Sequence, residues 1–599
     1  MMFSEAFAYA NVPYRIKSFA SILSDPYDTI EFDEALDQTI DARVKAMGAD
    51  GRLMPDPYGD VYQVNLAEKI LVTLLSKIAN FIPDTGIWMN TQRPEWNDAN
   101  NALVGTGVSV VTLCYLHRFL NKIVPLFSEL KEESVSLSEE VADFLAEVAD
   151  ALATQQNSLG AGPVSDKVRK DVMESLGTAA ERYRNRIYQR GFSASKKSVA
   201  LSSIVDCLSR ARDVSAVSIR SNRRKDGLYH AYNRIAVNDS GVEIKYLYEM
   251  LEGQVAVLSS ELLEAEESLS LLKTLRASSL YTERQHSYLL YPNRHLPRFM
   301  ERNLVPSEFV ASSQLMTALL ANGNTDLVER DQAGQVYFAG KFNNTASVAA
   351  ELAKIAKQGY AEELLDESDG IQHLFSELFD CANFTGRSGG MYAYEGLGSI
   401  YWHMVSKLLL AVMETVKQAE AAGASASVVE ALKAAYYDVR EGIGFNKTPE
   451  VYGAFPTDPY SHTPGFAGAR QPGMTGQVKE EVLTRLLELG VEVTDACVSF
   501  TPTVLRKSEF LESAETLRYF DVTGASQEVE LQVGELGFTY CQVPVVMDMA
   551  ESASITLHTS DGAIESVPGS VLSADQSEAL FKKDGRYMRI DVHVERVMD

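Results

Sequence analysis

Residues Arg93-Pro94-Glu95-Trp96-Asn97-Asp98-Ala99-Asn100-Asn101 gather two carboxylic acids, three amides and an arginine around one of only three tryptophans in the chain. A carbohydrate site needs a flat apolar surface for a sugar face, polar groups for hydroxyls, and a carboxylic acid able to protonate a glycosidic oxygen. Trp96 supplies the first, Arg93, Asn97 and Asn100 the second, and Asp98 or Glu95 the third. The same stretch also reads as a helix N-cap, with Asn97 or Asp98 ahead of the apolar run Ala102-Leu103-Val104.

Two further islands share this texture. Tyr392-Ala393-Tyr394-Glu395-Gly396-Leu397-Gly398-Ser399-Ile400-Tyr401-Trp402-His403 places a second tryptophan near a carboxylate, with Tyr394 and Trp402 as sugar-binding candidates. Tyr452 to His462 runs into Gly468-Ala469-Arg470-Gln471-Pro472-Gly473-Met474-Thr475-Gly476-Gln477. Glycine, proline and aromatics at this density predict shaped loops. An acid at Asp98 must stay protonated near neutral pH, which burial against Trp96 and the charge of Glu95 would promote. Inversion by water then needs a carboxylate base on the opposite sugar face, for which Glu395 is the candidate, with Glu441 and Asp458 behind it. His403 has an alternative role as a core histidine among Met404, Val405 and Leu408.

The elements that must position these residues are mostly helical. Apolar spacing of three and four dominates up to about residue 500, in Phe32 to Met47, Asn65 to Phe81, Gly107 to Leu126 and Ser138 to Ala153, and predicts a mainly α, helix-on-helix architecture. Residues 1–158 and 336–512 read as two parts of one helical domain. Residues 159–335, with basic clusters at Arg182 to Arg186 and Arg220 to Lys225, read as a mostly helical insertion or lid, its charges a solvated face. From 513 to 599 the period becomes two, as in Glu528 to Val533 and Tyr587 to Val594, and predicts a small β-sandwich-like domain.

Composition narrows the function classes. The balance of 55 basic against 82 acidic residues, a net charge of -27, disfavours nucleic acid and anionic membranes as partners and suits a neutral oligosaccharide or polysaccharide. The nine histidines show no HExxH or paired-ligand spacing, so no metal is expected. No dinucleotide or P-loop fingerprint occurs, so no cofactor is expected either. Five cysteines without a CxxC pair read as buried free thiols of a cytoplasmic protein. A homodimer is compatible with all of this.

In this order the three islands resemble the catalytic domain of the inverting disaccharide phosphorylases, such as cellobiose and chitobiose phosphorylase, and related glycoside hydrolases. The resemblance implies an (α/α) six-hairpin toroid with a C-terminal β-domain, Asp98 as general acid, and inorganic phosphate as co-substrate held by His403, Arg470 and Thr475. Gln477 stands where that family usually has a small hydroxyl residue. Hydrolysis with Glu395 as base is the other chemistry open to the same acid. The competing class is a non-catalytic sugar-binding or scaffold protein, or an inactive C-terminal fragment of a longer enzyme.

Overall fold

The computed structural model describes residues 2–598 except 27, 92–102, 104, 160–162, 294–297, 361–365, 380–397, 444–446, 449–459, 465–470 and 473–474. The chain divides into two compact units, one of Met1–Leu263, Lys273–Thr282 and Leu289–Ile400, the other of Glu264–Leu272, Glu283–Tyr288 and Tyr401–Asp599.

In the first unit the helical periodicity yields Leu66–Ile78, Val110–Ser128, Glu139–Leu159, Asp166–Arg190 and Leu201–Ser221. Three of these start where a short polar side chain takes an orphan N–H: Asn65 from Glu68 N at 2.9 Å, Ser109 from Thr112 N at 2.9 Å, and Ser165 from Val168 N at 3.3 Å. Val110–Ser128 has the length and apolarity to cross a membrane. Its Leu113, Cys114, Leu120, Ile123 and Phe127 are buried, and the helix packs along Leu201–Ser221, which accounts for that apolarity.

A five-stranded antiparallel sheet accompanies these helices, in the order Gly241–Tyr246, Tyr232–Asn238, Gly107–Ser109, Gly86–Trp88, Phe81–Ile82. Trp88, Val108, Ile235 and Val242 share a core with Phe19, Ile22 and Met173. The helix Asp166–Arg190 approaches Phe19 so closely that a Cβ at Gly177 would stand 2.2 Å from a ring carbon.

Within the same unit, residues between Val305 and Phe379 bury a hydrophobic cluster of their own. Leu315, Met316 and Leu319, the hairpin residues Val328, Val336 and Phe338, and Leu352, Phe375 and Phe379 belong to it, with Phe338 and Phe375 in edge contact at 5.2 Å. A short chain segment that closes its own core in this way has the anatomy of an inserted module.

The second unit holds the helices Trp402–Ala421, Ala426–Glu441 and Thr475–Glu488 and ends in a five-stranded sheet, ordered Leu536–Tyr540, Val543–Met549, Tyr587–Val594, Ser554–Thr559, Ile564–Pro568. Val543–Met549 and Tyr587–Val594 run parallel, and the other pairs antiparallel. One sheet face joins Ala579 and Leu580 of the helix Ala574–Lys582 in a common core. The opposite face carries the pairs His558–Asp591 at 2.7 Å and His593–Asp548 at 2.5 Å.

These observations correct the expected fold class. Helix makes up 48% and strand 23% of the structure, so the chain is a mixture of α and β, not a mainly α toroid. The C-terminal region is a single sheet backed by a helix and hairpins, not a β-sandwich. The strands of the first sheet escape a period-two search for a physical reason. Phe81–Ile82, Gly86–Trp88 and Gly107–Ser109 have two or three residues each, all buried, so no polar face alternates with the apolar one.

Candidate functional site

The first motif is framed by the sheet of the first unit. Strands Gly86–Trp88 and Gly107–Ser109 pair antiparallel, Trp88 opposite Val108. The pairing extends outward, with Met89 N donating to Gly107 O at 3.0 Å and Gly105 N to Met89 O at 2.7 Å. The Trp88 indole donates to Gly105 O at 2.9 Å, and the Asn90 amide to Asn80 Oδ1 at 2.8 Å. Gly105 adopts φ +88°, and a Cβ there would lie 2.4 Å from Pro26 O. The connection that carries the acid motif therefore leaves and re-enters a buried stem fixed on both strands. Arg93, Glu95, Trp96, Asn97, Asp98 and Asn100 themselves lie outside the described residues, as do Tyr394, Glu395, Asp458 and Arg470.

Of the second motif, Trp402 and His403 open the helix Trp402–Ala421. Trp402 is 1% exposed, so its indole belongs to the helix core and does not present the flat sugar platform expected of it. His403 differs from its neighbours Met404, Val405 and Leu408, which are fully or almost fully buried. Its side chain stays 11% exposed, with Nε2 3.8 Å from Glu480 Oε1 and Nδ1 3.4 Å from the Tyr401 hydroxyl. Glu480 lies on Thr475–Glu488, which packs along the helix of His403. Thr475 is the first residue of that helix, about 7.5 Å along its axis from Glu480 at 1.5 Å per residue.

His403 and the N-terminal end of the Thr475 helix thus occupy one helix pair of the second unit. A helix N-terminus offers unpaired N–H groups and a positive dipole end to an oxyanion, whereas the contact His403 makes on this helix is to the Glu480 carboxylate further along it. Glu480 is the residue that sequence reading missed. The available signal was that it falls one and a half turns after Thr475 on a helix that the periodicity already predicted.

Two of the strongly buried acids among the described residues, Glu68 and Glu488, are held by several donors. Glu68, fully buried, accepts from Ser138 N at 2.7 Å, Ser138 Oγ at 2.6 Å and the Tyr9 hydroxyl at 3.1 Å. Glu488 accepts from the Tyr436 hydroxyl, from Arg440 at 2.9 Å and from Arg485 at 2.7 Å. Both tie elements together through these hydrogen bonds. Lys447, just before the third motif, donates to the carbonyls of Gln285 and His286, and burial lowers its ammonium pKa to about 8.

Among the described residues no cluster of His, Cys, Asp or Glu has the makings of a metal site. Cys114 and Cys207 are buried free thiols, the latter raised to about 12 by desolvation, whereas Cys497 and Cys541 are half-buried. Glu441, the reserve candidate for a base, closes the helix Ala426–Glu441.

No curated protein matches the chain. Residues 296–382 match the family model described as GH149 phosphorylase insertion domain 2, the segment that contains the self-contained core from Val305 to Phe379. The relationship it supports runs to the glycoside phosphorylases and carbohydrate-active enzymes, without singling out the cellobiose and chitobiose phosphorylases.

Proposed function

We propose that the chain carries the catalytic region of an inverting glycoside phosphorylase that cleaves oligo- or polysaccharides with inorganic phosphate. The observation that carries this reading is the match of residues 296–382 to a phosphorylase insertion domain. The side-by-side placement of His403 and the Thr475 helix supports it.

In the proposed reaction Asp98, with Glu95 beside it, donates a proton to the glycosidic oxygen as the bond to the anomeric carbon breaks. A phosphate oxygen, held by His403, Arg470 and Thr475, attacks that carbon from the opposite face. The products are a shortened sugar with a new hydroxyl and a sugar 1-phosphate of inverted configuration. Because the nucleophile is already anionic, no general base is needed, and Glu395 is assigned to substrate contact with Arg93, Trp96, Asn97, Asn100 and Tyr394.

Asp98→Asn tests the acid. General acid catalysis contributes on the order of 10²–10⁴-fold, so the variant should lose that much kcat while retaining oligosaccharide binding. Turnover within a factor of about three of wild type would remove Asp98 from the mechanism.

A further inference from the structure

We infer that a groove in the first unit, lined by Asn11, Tyr14, Asp56, Tyr188 and Arg190 above Tyr9, is a second carbohydrate-binding site that takes a gluco-oligosaccharide chain. Its volume is about 420 Å³, within the range of small-ligand sites. Among the described residues, no member of the three sequence motifs lines it.

The floor is rigid and aromatic. Tyr9 stacks on Phe192 at 5.2 Å and 11°, and Phe192 stacks on Tyr62 at 4.7 Å and 17°. The Tyr9 hydroxyl is anchored on Glu68 at 3.1 Å, and Lys69 Nζ lies 4.1 Å from the Tyr9 ring centre. At the rim Tyr14 is 58% exposed and makes an edge contact with Phe32. A tyrosine so exposed beside a fixed aromatic floor offers the flat apolar face that a pyranose C–H surface takes.

The polar groups are unspent. Asn11 and Arg190 have no side-chain partner among the described residues. Asp56 Oδ1 accepts Tyr58 N at 2.8 Å and Asp60 N at 3.0 Å, which leaves Oδ2 without a partner among the described residues. An amide, a carboxylate and a guanidinium are planar groups that bridge neighbouring hydroxyls.

Charge selects against ionic ligands. Arg15 is already neutralised by Asp33 at 2.6 Å, donates to Tyr188 O at 2.9 Å and covers the Tyr188 ring. The remaining lining charges, Asp56 and Arg190, cancel, so the groove has no net charge to recruit an anion or a cation. A neutral polyol fits both the aromatic and the polar halves. That the polyol is a glucan chain rests on the proposed phosphorylase reading.

The test is affinity electrophoresis of the full chain in gels cast with soluble α- or β-linked glucans, set beside phosphate-dependent turnover of disaccharides. Tyr14 is exposed, so Tyr14→Ala leaves the fold intact, and Asn11→Ala serves as an independent variant. Retardation of wild type by at least one glucan, weakened about tenfold in each variant with disaccharide kcat and KM unchanged, is the expected result. Equal retardation of wild type and both variants, or no retardation by any glucan, overturns the second site. The two readings fail separately: Tyr14-dependent retardation without any sugar 1-phosphate production sinks the phosphorylase and keeps the groove, and the reverse pattern sinks only the groove.

Discussion

At the scale of single residues, His403 shows how one side chain is lifted out of a core. Its helix neighbours are spent on packing, whereas its imidazole keeps an exposed edge and faces Glu480 at 3.8 Å. In the proposed phosphate site the His403 contact is a hydrogen bond to an anion, about 1.5–3 kcal/mol. His403→Ala should therefore raise the KM for phosphate by about 10- to 100-fold and leave the KM for the sugar close to wild type, measured by varying each substrate in turn. An unchanged phosphate KM would return His403 to a packing role. His403 and Thr475 drew notice in the sequence because rare side chains cluster around them, and both fall on helices that pack together. The burial of Trp402 was not, since a tryptophan at a helix start has the same sequence signature whether it faces solvent or core.

At the scale of elements, two features are specified by close contact. The first is Gly177, where the helix Asp166–Arg190 rides on the Phe19 ring. Gly177→Ala gains up to about 1 kcal/mol of helix propensity, but the added methyl overlaps the ring, and overpacking costs about 1–3 kcal/mol. The variant should melt below wild type in a thermal scan; a higher melting temperature would mean that the ring moves aside freely.

The second is His230, 8% exposed, stacked on Tyr246 at 4.7 Å with Nδ1 3.1 Å from Leu247 O. Burial and the nearby Arg224 lower its pKa to about 4. Between pH 6.5 and 4 the unfolded chain binds a proton that the native chain refuses, so stability falls as pH drops through that window, by on the order of 3 kcal/mol. His230→Gln should flatten this slope in urea titrations at pH 4.5 and 7. An identical slope in the variant would assign the acid sensitivity to other groups.

The long helices were readable because amphipathic periodicity persists over many turns. The sheet of the first unit was not. Three of its strands are two or three residues long, and one of them, Gly107–Ser109, pairs with Tyr232–Asn238 from more than a hundred positions away, as where Tyr232 pairs with Ser109; local propensity carries no information about such a pairing. The C-terminal strands were readable from alternation, but their assembly into one sheet was not: the parallel pairing of Val543–Met549 with Tyr587–Val594 depends on a crossover that no two-residue period announces.

At the scale of the whole molecule, the module between Val305 and Phe379 carries the tie to the glycoside phosphorylases, although none of the three sequence motifs falls within it. The motifs bear the proposed chemistry, and the inserted module bears the relationship. Product analysis on α- and β-linked gluco-oligosaccharides, with and without inorganic phosphate, tests the union of the two most directly. Phosphorolysis predicts sugar 1-phosphate of inverted anomeric configuration, formed only when phosphate is present and lost in Asp98→Asn. Free reducing sugar released at the same rate with and without phosphate would contradict the account and make the protein a hydrolase.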